Sequence, residues 1–477
     1  MSTHRRRFLR LCGVAGLGAV AGCSGGSGDG ETTADDETPV DSETTQSPTA
    51  TLTPTPMPAE TATPTDTDTP TETTGSPEQQ LKLAADDGDS DDLFGSSVAM
   101  SSDGTTAIIG ANGDEDPHGE GAGSAYVFES SGDAWTQQAK LTADDGDSRD
   151  TFGRSVAMSS DGTTALVGAL YDEDPNGDLA GSAYIFESSG GSWAQQVKLA
   201  ADDGDSRDLF SGSVAMSSDG TTALIGAPWD EDPNGRAAGS AYVFESSGGS
   251  WTQQNKLAAD DGDSRDAFGS VVALSNDGTT ALIGATVDDD PNGETGGSAY
   301  VFENSGGSWT QRSKLAADDG DSEDRFSHSV ALSDDGTTAL VSAREDDNTN
   351  GKRAGSVYVF DNSSGSWAQR TKLIAPEGDS LEFFGDGLAL SNGGTTALIG
   401  TPGDGTSDVV NAGSAYVFEN SGGSWTQRSK LVADNRDSRD AFGDSVAMSS
   451  DGSIALVGAV EQYTRDNKPG SAYAFEL

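Results

Sequence analysis

The sequence predicts an all-β protein, a seven-bladed β-propeller made of four-stranded blades. A phenylalanine recurs at intervals of 58 residues, with nearly the same text around each copy. Each period holds four short apolar segments, which is the number of strands in a propeller blade. Seven is also a common number of blades in a closed ring. The recurring phenylalanines are Phe94, Phe152, Phe210, Phe268, Phe326, Phe384 and Phe442.

The four segments of the second copy justify the strand assignment. They are rich in Val, Ile, aromatic and small residues, and none carries the apolar stripe of a helix. Asp-Gly, Asn-Gly and Gly-Gly pairs separate them, and Ser160-Asp161-Gly162 is typical of a tight hairpin. We therefore predict strands at 155–158, 165–168, 183–186 and 193–199.

The two ends of the repeat predict how the ring closes. The seventh copy reaches Leu477 after its third strand, while a matching segment, 79–83, lies 58 residues before 137–141. We expect this N-terminal strand to complete the last blade and so remove both open edges, with Pro77 in the place of its tryptophan. The other six copies carry a tryptophan on the fourth strand, which we expect to pack between blades. These are Trp135, Trp193, Trp251, Trp309, Trp367 and Trp425.

The dipeptides at the strand ends resemble a known repeat. Phe-Gly opens the first strand in five copies and Phe-Ser in two, and Gly226-Ala227-Pro228 closes the second strand of the third copy. These motifs resemble the FG-GAP repeat of integrin α-subunit propellers and of many prokaryotic surface proteins. The resemblance covers residues 78–477 and implies a seven-bladed propeller used for adhesion or ligand binding. It implies no particular ligand, because one fold serves many functions.

Residues 1–23 are expected to be an export signal that is not part of the fold. Arg5-Arg6 matches the pair of a twin-arginine signal, and the apolar stretch 11–21 is too short to span a bilayer. Residues 20–23, Val-Ala-Gly-Cys, resemble a lipobox, which implies that Cys23 becomes the first mature residue and carries a lipid. Cleavage there leaves Cys23 as the only cysteine, so no disulfide forms within the chain. The alternative is a simple cleaved signal with an incidental cysteine.

Between the signal and the propeller, residues 24–77 predict a disordered stalk. This segment consists mainly of Thr, Pro, Ser, Glu and Asp and has no Lys, Arg or aromatic residue, so it cannot build a core. A lipid on Cys23 followed by a stalk would hold the propeller outside the cell, on the outer face of the membrane.

The chain is strongly acidic, with 79 Asp plus Glu against 27 Lys plus Arg and a net charge of −52. Such a charge excludes nucleic acid and anionic lipid surfaces as partners, so we expect membrane contact through the lipid alone. The composition resembles that of proteins from salt-loving archaea, in which molar salt screens the repulsion between carboxylates.

The acidic residues are concentrated in two loops of each repeat. The first loop precedes the first strand (202–208 in the third copy), and the second loop joins the second and third strands (230–235). Both lie on the same face of a four-stranded blade, so we expect one acidic face and one Gly/Ser face. An acid stands two residues before each recurring phenylalanine, as at Asp92 and Asp208, and we expect it to cap a turn.

The second loop suggests a calcium site. Its spacing, Asp-x-Asp-x-Asn-Gly, resembles the start of a calcium loop, in which alternating oxygens precede a glycine turn. The acid expected at the twelfth position is absent, with Ala183 there in the second copy. The calcium loop of integrin-type repeats also lies elsewhere, between the first two strands, so a salt-adapted Asp/Asn turn stays open as the alternative. The candidate ligands are Asp114, Asp116, Asp172, Asp174, Asn176, Asp230, Asp232, Asn234, Asp288, Asp290, Asn292, Asp346, Asn348 and Asn350.

Two aromatic residues depart from the repeat in the same region. Tyr171 and Trp229 occupy equivalent places in neighbouring copies and are candidates for stacking on a sugar ring; packing against the neighbouring loop is the alternative. Enzymatic constellations are nearly absent, with His118 and His328 the only histidines after residue 23, so we do not expect an enzyme. We expect a monomeric binding or adhesion module for a protein or glycan. The alternatives are a polysaccharide hydrolase or lyase using acidic-face carboxylates and a passive surface protein.

Overall fold

The computed structural model describes residues 79–115, 117–132, 134–231, 233–406, 408–460 and 468–477. Every regular element in these ranges is a β-strand, which confirms the all-β prediction. They belong to one compact unit, Ser76–Leu477. The predicted signal and stalk, with Cys23, lie outside the described residues. The described part contains no helix long and apolar enough to cross a membrane.

The strands are short and follow the 58-residue period. In chain order they are β1 (Gln79–Leu83), β2 (Phe94–Met100), β3 (Thr106–Ala111), β4 (Ser124–Ser130), β5 (Trp135–Leu141), β6 (Phe152–Met158), β7 (Thr164–Ala169), β8 (Ser182–Ser189), β9 (Ser192–Leu199), β10 (Val214–Met216), β11 (Thr222–Ala227), β12 (Ser240–Ser247), β13 (Ser250–Leu257), β14 (Phe268–Leu274), β15 (Thr280–Ala285), β16 (Ser298–Ser305), β17 (Ser308–Leu315), β18 (Phe326–Leu332), β19 (Thr338–Ala343), β20 (Ser356–Asp361), β21 (Ala368–Leu373), β22 (Leu388–Leu390), β23 (Thr396–Thr401), β24 (Ser414–Ser421), β25 (Ser424–Leu431), β26 (Phe442–Met448), β27 (Ile454–Ala459) and β28 (Ser471–Glu476).

These strands form seven antiparallel sheets of four strands, one per blade. Blades 1 to 6 each use four consecutive strands, from β2–β5 to β22–β25, with the first strand of each blade innermost. Blade 7 has the order β1-β28-β27-β26, so the N-terminal strand supplies its outer strand as predicted.

The register of β1 on β28 repeats the register inside the other blades. Lys82 pairs with Tyr473 as Lys140 pairs with Tyr126 in blade 1. Both pairings also contain a one-residue bulge at the same place in the repeat. The closing strand is therefore a regular fourth strand and not an improvised edge contact.

Small residues let the blades approach each other near the axis. The second strand carries a glycine facing the inner strand of the next blade, and a Cβ on Gly226 would overlap the carbonyl oxygen of Gly269. The inner ring also closes between the last and first blades, where Ser445 Oγ donates to Gly95 O at 2.8 Å. Close packing at the axis thus depends on residues without a side chain.

Each interface between blades is filled by an apolar cluster. The recurring phenylalanine meets the aromatic rings of its own third strand edge-on; in blade 3, Phe210 lies 5.6 Å from Tyr242 and 6.0 Å from Phe244. All six tryptophans join the cluster between their own blade and the preceding one, which confirms their packing role. The cluster between blades 6 and 7 includes Leu477 instead, as expected for the blade whose outer strand lacks a tryptophan.

Candidate functional site

The two acidic loops of each blade meet on one face of the ring, which we call the acidic face. In blade 1, Asp87 of the first loop and Asp114 of the second loop converge on two groups. The Tyr126 hydroxyl donates to Asp114 Oδ2 at 2.6 Å, and Asp87 Oδ1 lies 3.0 Å from the same hydroxyl oxygen. Lys140 Nζ, from the outer strand, lies 2.8 Å from both carboxylates. One lysine and one tyrosine thus hold the two loops together.

Blades 1 to 5 repeat this arrangement. Each lysine Nζ lies 2.7–3.0 Å from a first-loop and a second-loop carboxylate. Burial alone would lower the pKa of Lys256, but its hydrogen bonds to Asp203 and Asp230 outweigh burial and raise that pKa. The lysines are Lys140, Lys198, Lys256, Lys314 and Lys372.

Among the described residues of blades 6 and 7, only parts of this arrangement are present. In blade 6, Lys430 Nζ lies 2.7 Å from Asp404. In blade 7 the closing strand supplies Lys82, whose Nζ lies 5.5 Å from the centre of the Tyr473 ring. The Tyr473 hydroxyl there donates to Asn435 Oδ1 at 2.9 Å.

These contacts bear directly on the predicted calcium ligands. The first aspartate of each triplet, Asp172 in blade 2, is buried and uses its oxygens for Tyr184, Lys198 and the N–H of Asp174. The asparagine turns away, because Asn176 Nδ2 donates to Ala201 O at 2.9 Å. In blades 2, 4 and 5, where all three residues of the triplet are described, the first and third side chains thus already bond to other groups of the protein.

The remaining candidate ligands follow the same pattern. Buried first aspartates are Asp114, Asp172, Asp230, Asp288 and Asp346. Asparagines donating to a backbone carbonyl are Asn176, Asn234, Asn292, Asn348 and Asn350. Asp290 is mostly exposed, with Oδ2 3.8 Å from Lys314 Nζ. Asp116 and Asp232 lie outside the described residues.

One carboxylate cluster on this face has the spacing of a metal site. Ligand atoms of Asp266, Asp288 and Asp289 in blade 4 all lie within 4.8 Å of one another. Asp288 Oδ2, however, is also 2.9 Å from Lys314 Nζ. The Lys314 ammonium group already neutralises the Asp288 carboxylate, which a calcium ion at this cluster would need as a ligand. Calcium binding on these loops therefore stays a prediction.

The acid before each recurring phenylalanine caps a turn, as predicted. Asp208 Oδ2 accepts the N–H of Asp205 at 2.7 Å, and five other blades repeat this bond with aspartate. Burial raises the pKa of Asp208 to about 6, against the lowering effect of that hydrogen bond, and repulsion from Asp230 adds to the rise. Ionised Asp208 therefore destabilises the fold at neutral pH.

Tyr171 and Trp229 lie beside these buried acids on the acidic face. The backbone N–H groups of Tyr171 and Trp229 donate to the backbone carbonyls of Asp150 and Asp208, at 3.1 and 3.2 Å respectively. Both residues are half-buried. The equivalent Glu345 of blade 5 instead forms ion pairs with arginines.

The structure also brings together a group of ionisable side chains at the axis, which was not predicted as a site from the sequence. His328 Nε2 and Arg344 Nε of blade 5 each lie 2.9 Å from Asp386 Oδ1 of blade 6. The Arg344 guanidinium also stacks on Phe383, 4.6 Å from the ring centre. The Asp386 side chain is only 6% exposed. We call Arg154, His328, Arg344, Asp386 and Asp444 the axial group.

Arg154, His328, Asp386 and Asp444 each stand two residues after a recurring phenylalanine, where the innermost strand of the blade begins, so the group lies around the axis of the ring. Burial raises the pKa of Asp444 to about 7, and the charge of Asp386 adds to the rise, whereas Arg344 and Arg154 lower it. Burial would also raise the pKa of Asp386, but Arg344 and His328 outweigh it and lower that pKa. Blades 2, 5, 6 and 7 all contribute, and blades so far apart meet only around the axis. The inner strands start at the acidic face, so the group lies near that mouth.

Comparison of the copies would have revealed the axial group. Four of its members stand two residues after a recurring phenylalanine. The other blades have only small residues there, Ser96, Gly212 and Ser270. Ionisable residues at one otherwise small position mark a place where the blades differ in chemistry.

We predict that replacing Asp208 with Asn stabilises the protein above about pH 6. The pKa of Asp208 is raised from the ordinary 3.8 to about 6, so its ionised form is disfavoured in the folded state at neutral pH. Asparagine keeps the acceptor for the Asp205 N–H. The gain should be about 1–2 kcal/mol at pH 7.5, after allowing for residual solvent screening, and should vanish near pH 4, where the wild-type carboxyl is protonated.

Thermal unfolding at both pH values measures this difference. Asp202→Asn is the matched control, because it removes the same charge from an exposed position of the same loop. Equal melting temperatures for Asp208→Asn and Asp202→Asn at pH 7.5 would contradict the view that ionised Asp208 destabilises the folded state.

The repeats match a known family at every blade. Seven segments match the family model described as FG-GAP repeat: 77–128, 135–186, 193–244, 251–302, 309–360, 367–418 and 425–475. Each segment runs from the outer strand of one blade to the third strand of the next. A search of curated proteins found no match.

Proposed function

The chain belongs to the FG-GAP repeat family, and from that premise we propose that it is a cell-surface binding module for a protein or glycan ligand. The propeller fold is compatible with binding and adhesion. The proposal includes export by the twin-arginine signal, a lipid on Cys23 and a stalk of residues 24–77, which together would hold the ring away from the membrane.

The axial group is the observation that carries the proposal. Five ionisable side chains from four blades gather at the acidic-face mouth, and four of them stand where the other blades have small residues. In blade 3, Asp203, Asp208 and Asp230 of the surrounding loops already bind lysine, tyrosine or backbone groups of their own blade. Recognition therefore falls to positions at which the blades differ, which are the axial group, Tyr171 and Trp229.

These positions favour a ligand that combines polar groups with a flat apolar face. Arg154 and Arg344 offer donors, and Asp386 and Asp444 offer acceptors. Half-buried Tyr171 and Trp229 offer ring faces of the kind on which sugars stack. With a net charge of −52 we expect no nucleic acid partner.

Binding in molar salt tests this proposal. The full chain is immobilised and probed with a glycan array and with surface proteins of the same cells. We expect at least one ligand, whose affinity falls about tenfold or more in Trp229→Ala and in Arg344→Gln. Val287→Ala is the matched control, since Val287 occupies the Trp229 position in blade 4. Binding that is unchanged in all three variants would refute recognition at the acidic-face mouth.

A second candidate function, a polysaccharide hydrolase or lyase, is favoured by one observation. The pKa of Asp444 is raised to about 7, mainly by burial, while that of the nearby Asp386 is lowered. Two carboxyls with separated pKa values can serve as acid and base. Release of new reducing ends by the wild type but not by Asp444→Asn would favour the enzyme over the binding module.

Anchoring has a separate test. Replacing Cys23 with Ser removes the thiol that the lipid would modify. We expect the wild-type chain in the membrane fraction and the variant in the medium. A variant that stays in the membrane fraction to the same extent would contradict lipid anchoring.

A further inference from the structure

A second axial feature lies at the opposite mouth, on the Gly/Ser face. Hairpins between the first and second strands of the blades meet there around a cavity of about 150 Å³. At roughly 30 Å³ for each water in the liquid, this space matches about five water molecules. Its floor is formed by the side chains that end the inner strands, four methionines and Leu390.

The rim of this cavity is a ring of side chains, one from each blade. Blades 1, 2, 3 and 7 contribute serine, blades 4 and 6 contribute Asn276 and Asn392, and blade 5 contributes Asp334. Backbone bonds link neighbours in the ring, as from the N–H of Ser102 to Ser160 O at 2.9 Å. Another such bond, from Ser450 to Ser102, crosses the junction between blades 7 and 1. The backbone that carries these side chains is therefore held in place around the ring.

Asp334 is the only charged member of the rim, and its charge is unbalanced. Its Oδ2 is inaccessible to solvent and accepts no hydrogen bond from the described residues. No ion pair within the described part of the chain involves this carboxylate, and burial raises its pKa to about 6. A carboxylate oxygen that is removed from water without a partner is unfavourable unless another group balances its charge.

We propose that this cavity binds one partly hydrated alkali cation, with Asp334 as its charged ligand. Hydroxyl, amide and carboxylate oxygens are the ligands that hard cations prefer, and the rim contains no cationic side chain. One carboxylate balances a single positive charge, which favours a monovalent over a divalent ion. The cavity exceeds the volume of a bare ion, so the cation keeps part of its water shell. The site is separate from the acidic loops, where lysines already occupy the carboxylates.

Rubidium is the probe for this site. Crystals of the full chain are transferred to rubidium chloride, and anomalous differences are measured at the rubidium edge. In parallel, thermal unfolding compares rubidium chloride with N-methylglucamine chloride at equal ionic strength, since this organic cation is too large for the cavity. We expect one anomalous peak on the axis beside Asp334 and a higher melting temperature in rubidium, because an ion that binds only the folded state stabilises it.

Asp334→Asn should abolish the peak and at least halve the difference in melting temperature. Blades 4 and 6 already carry asparagine at this position, so the variant should fold. Asp335→Asn removes the same charge one residue away, at an exposed turn, and should keep the peak. No axial peak in the wild type, or an equal peak in Asp334→Asn, would overturn the proposal. Thermal unfolding is also measured in calcium chloride. A rise in melting temperature that is specific to calcium, is equal in the wild type and in Asp334→Asn, and is not accompanied by an axial rubidium peak would also overturn the proposal. That result would favour the loop sites instead.

Discussion

Closure of the ring between blade 7 and blade 1 is the constraint on which the rest of the structure depends. Each blade buries its apolar faces only against its neighbours, so a single open junction would expose two faces and two strand edges. Two separate sets of contacts close this junction. At the outer rim β1 pairs with β28, and near the axis Ser445 donates to Gly95 O while Ser450 donates to Ser102 O. The rim of the Gly/Ser cavity exists only because the ring is closed.

The second organising principle is the use of a few basic residues in a chain of net charge −52. In blades 1 to 5 the outer strand places one lysine where the two acidic loops meet. The ammonium group of each of these lysines forms ion pairs with two carboxylates. Because the lysines are about four-fifths buried, salt screens these pairs less than surface pairs. The acidic face is thus built from cross-linked loops, and its other acids include both buried turn-capping residues such as Asp208 and exposed residues such as Asp202.

The fold could be predicted from the sequence because the residues that specify a blade are repeated seven times. The interval of the phenylalanines gives the blade number, and the match of 79–83 to 137–141 gives the closing strand with its register. Strand bounds agree to within a few residues; the segment predicted as 155–158 belongs to β6, which starts at Phe152. The acidic and Gly/Ser faces follow from the same alternation of loops.

The site was less predictable, for two physical reasons. Lys140 lies 53 residues from Asp87, and only the path of the outer strand brings them together, so the spacing within a loop suggested calcium ligands where the fold places an ammonium group. The axial group combines residues of four blades, and no local motif records that the inner strands converge. What the sequence does contain is the departure from the repeat at Arg154, His328, Asp386 and Asp444.

Paired substitutions test the closure of the ring most directly. Leu83 of the closing strand and Leu141 of blade 1 are equivalent residues, 2% and 3% exposed. If β1 is a regular outer strand, Leu83→Ala and Leu141→Ala should each remove about 2–5 kcal/mol of stability and lower the melting temperature by similar amounts. A large decrease for Leu141→Ala together with no change for Leu83→Ala would contradict closure by the N-terminal strand.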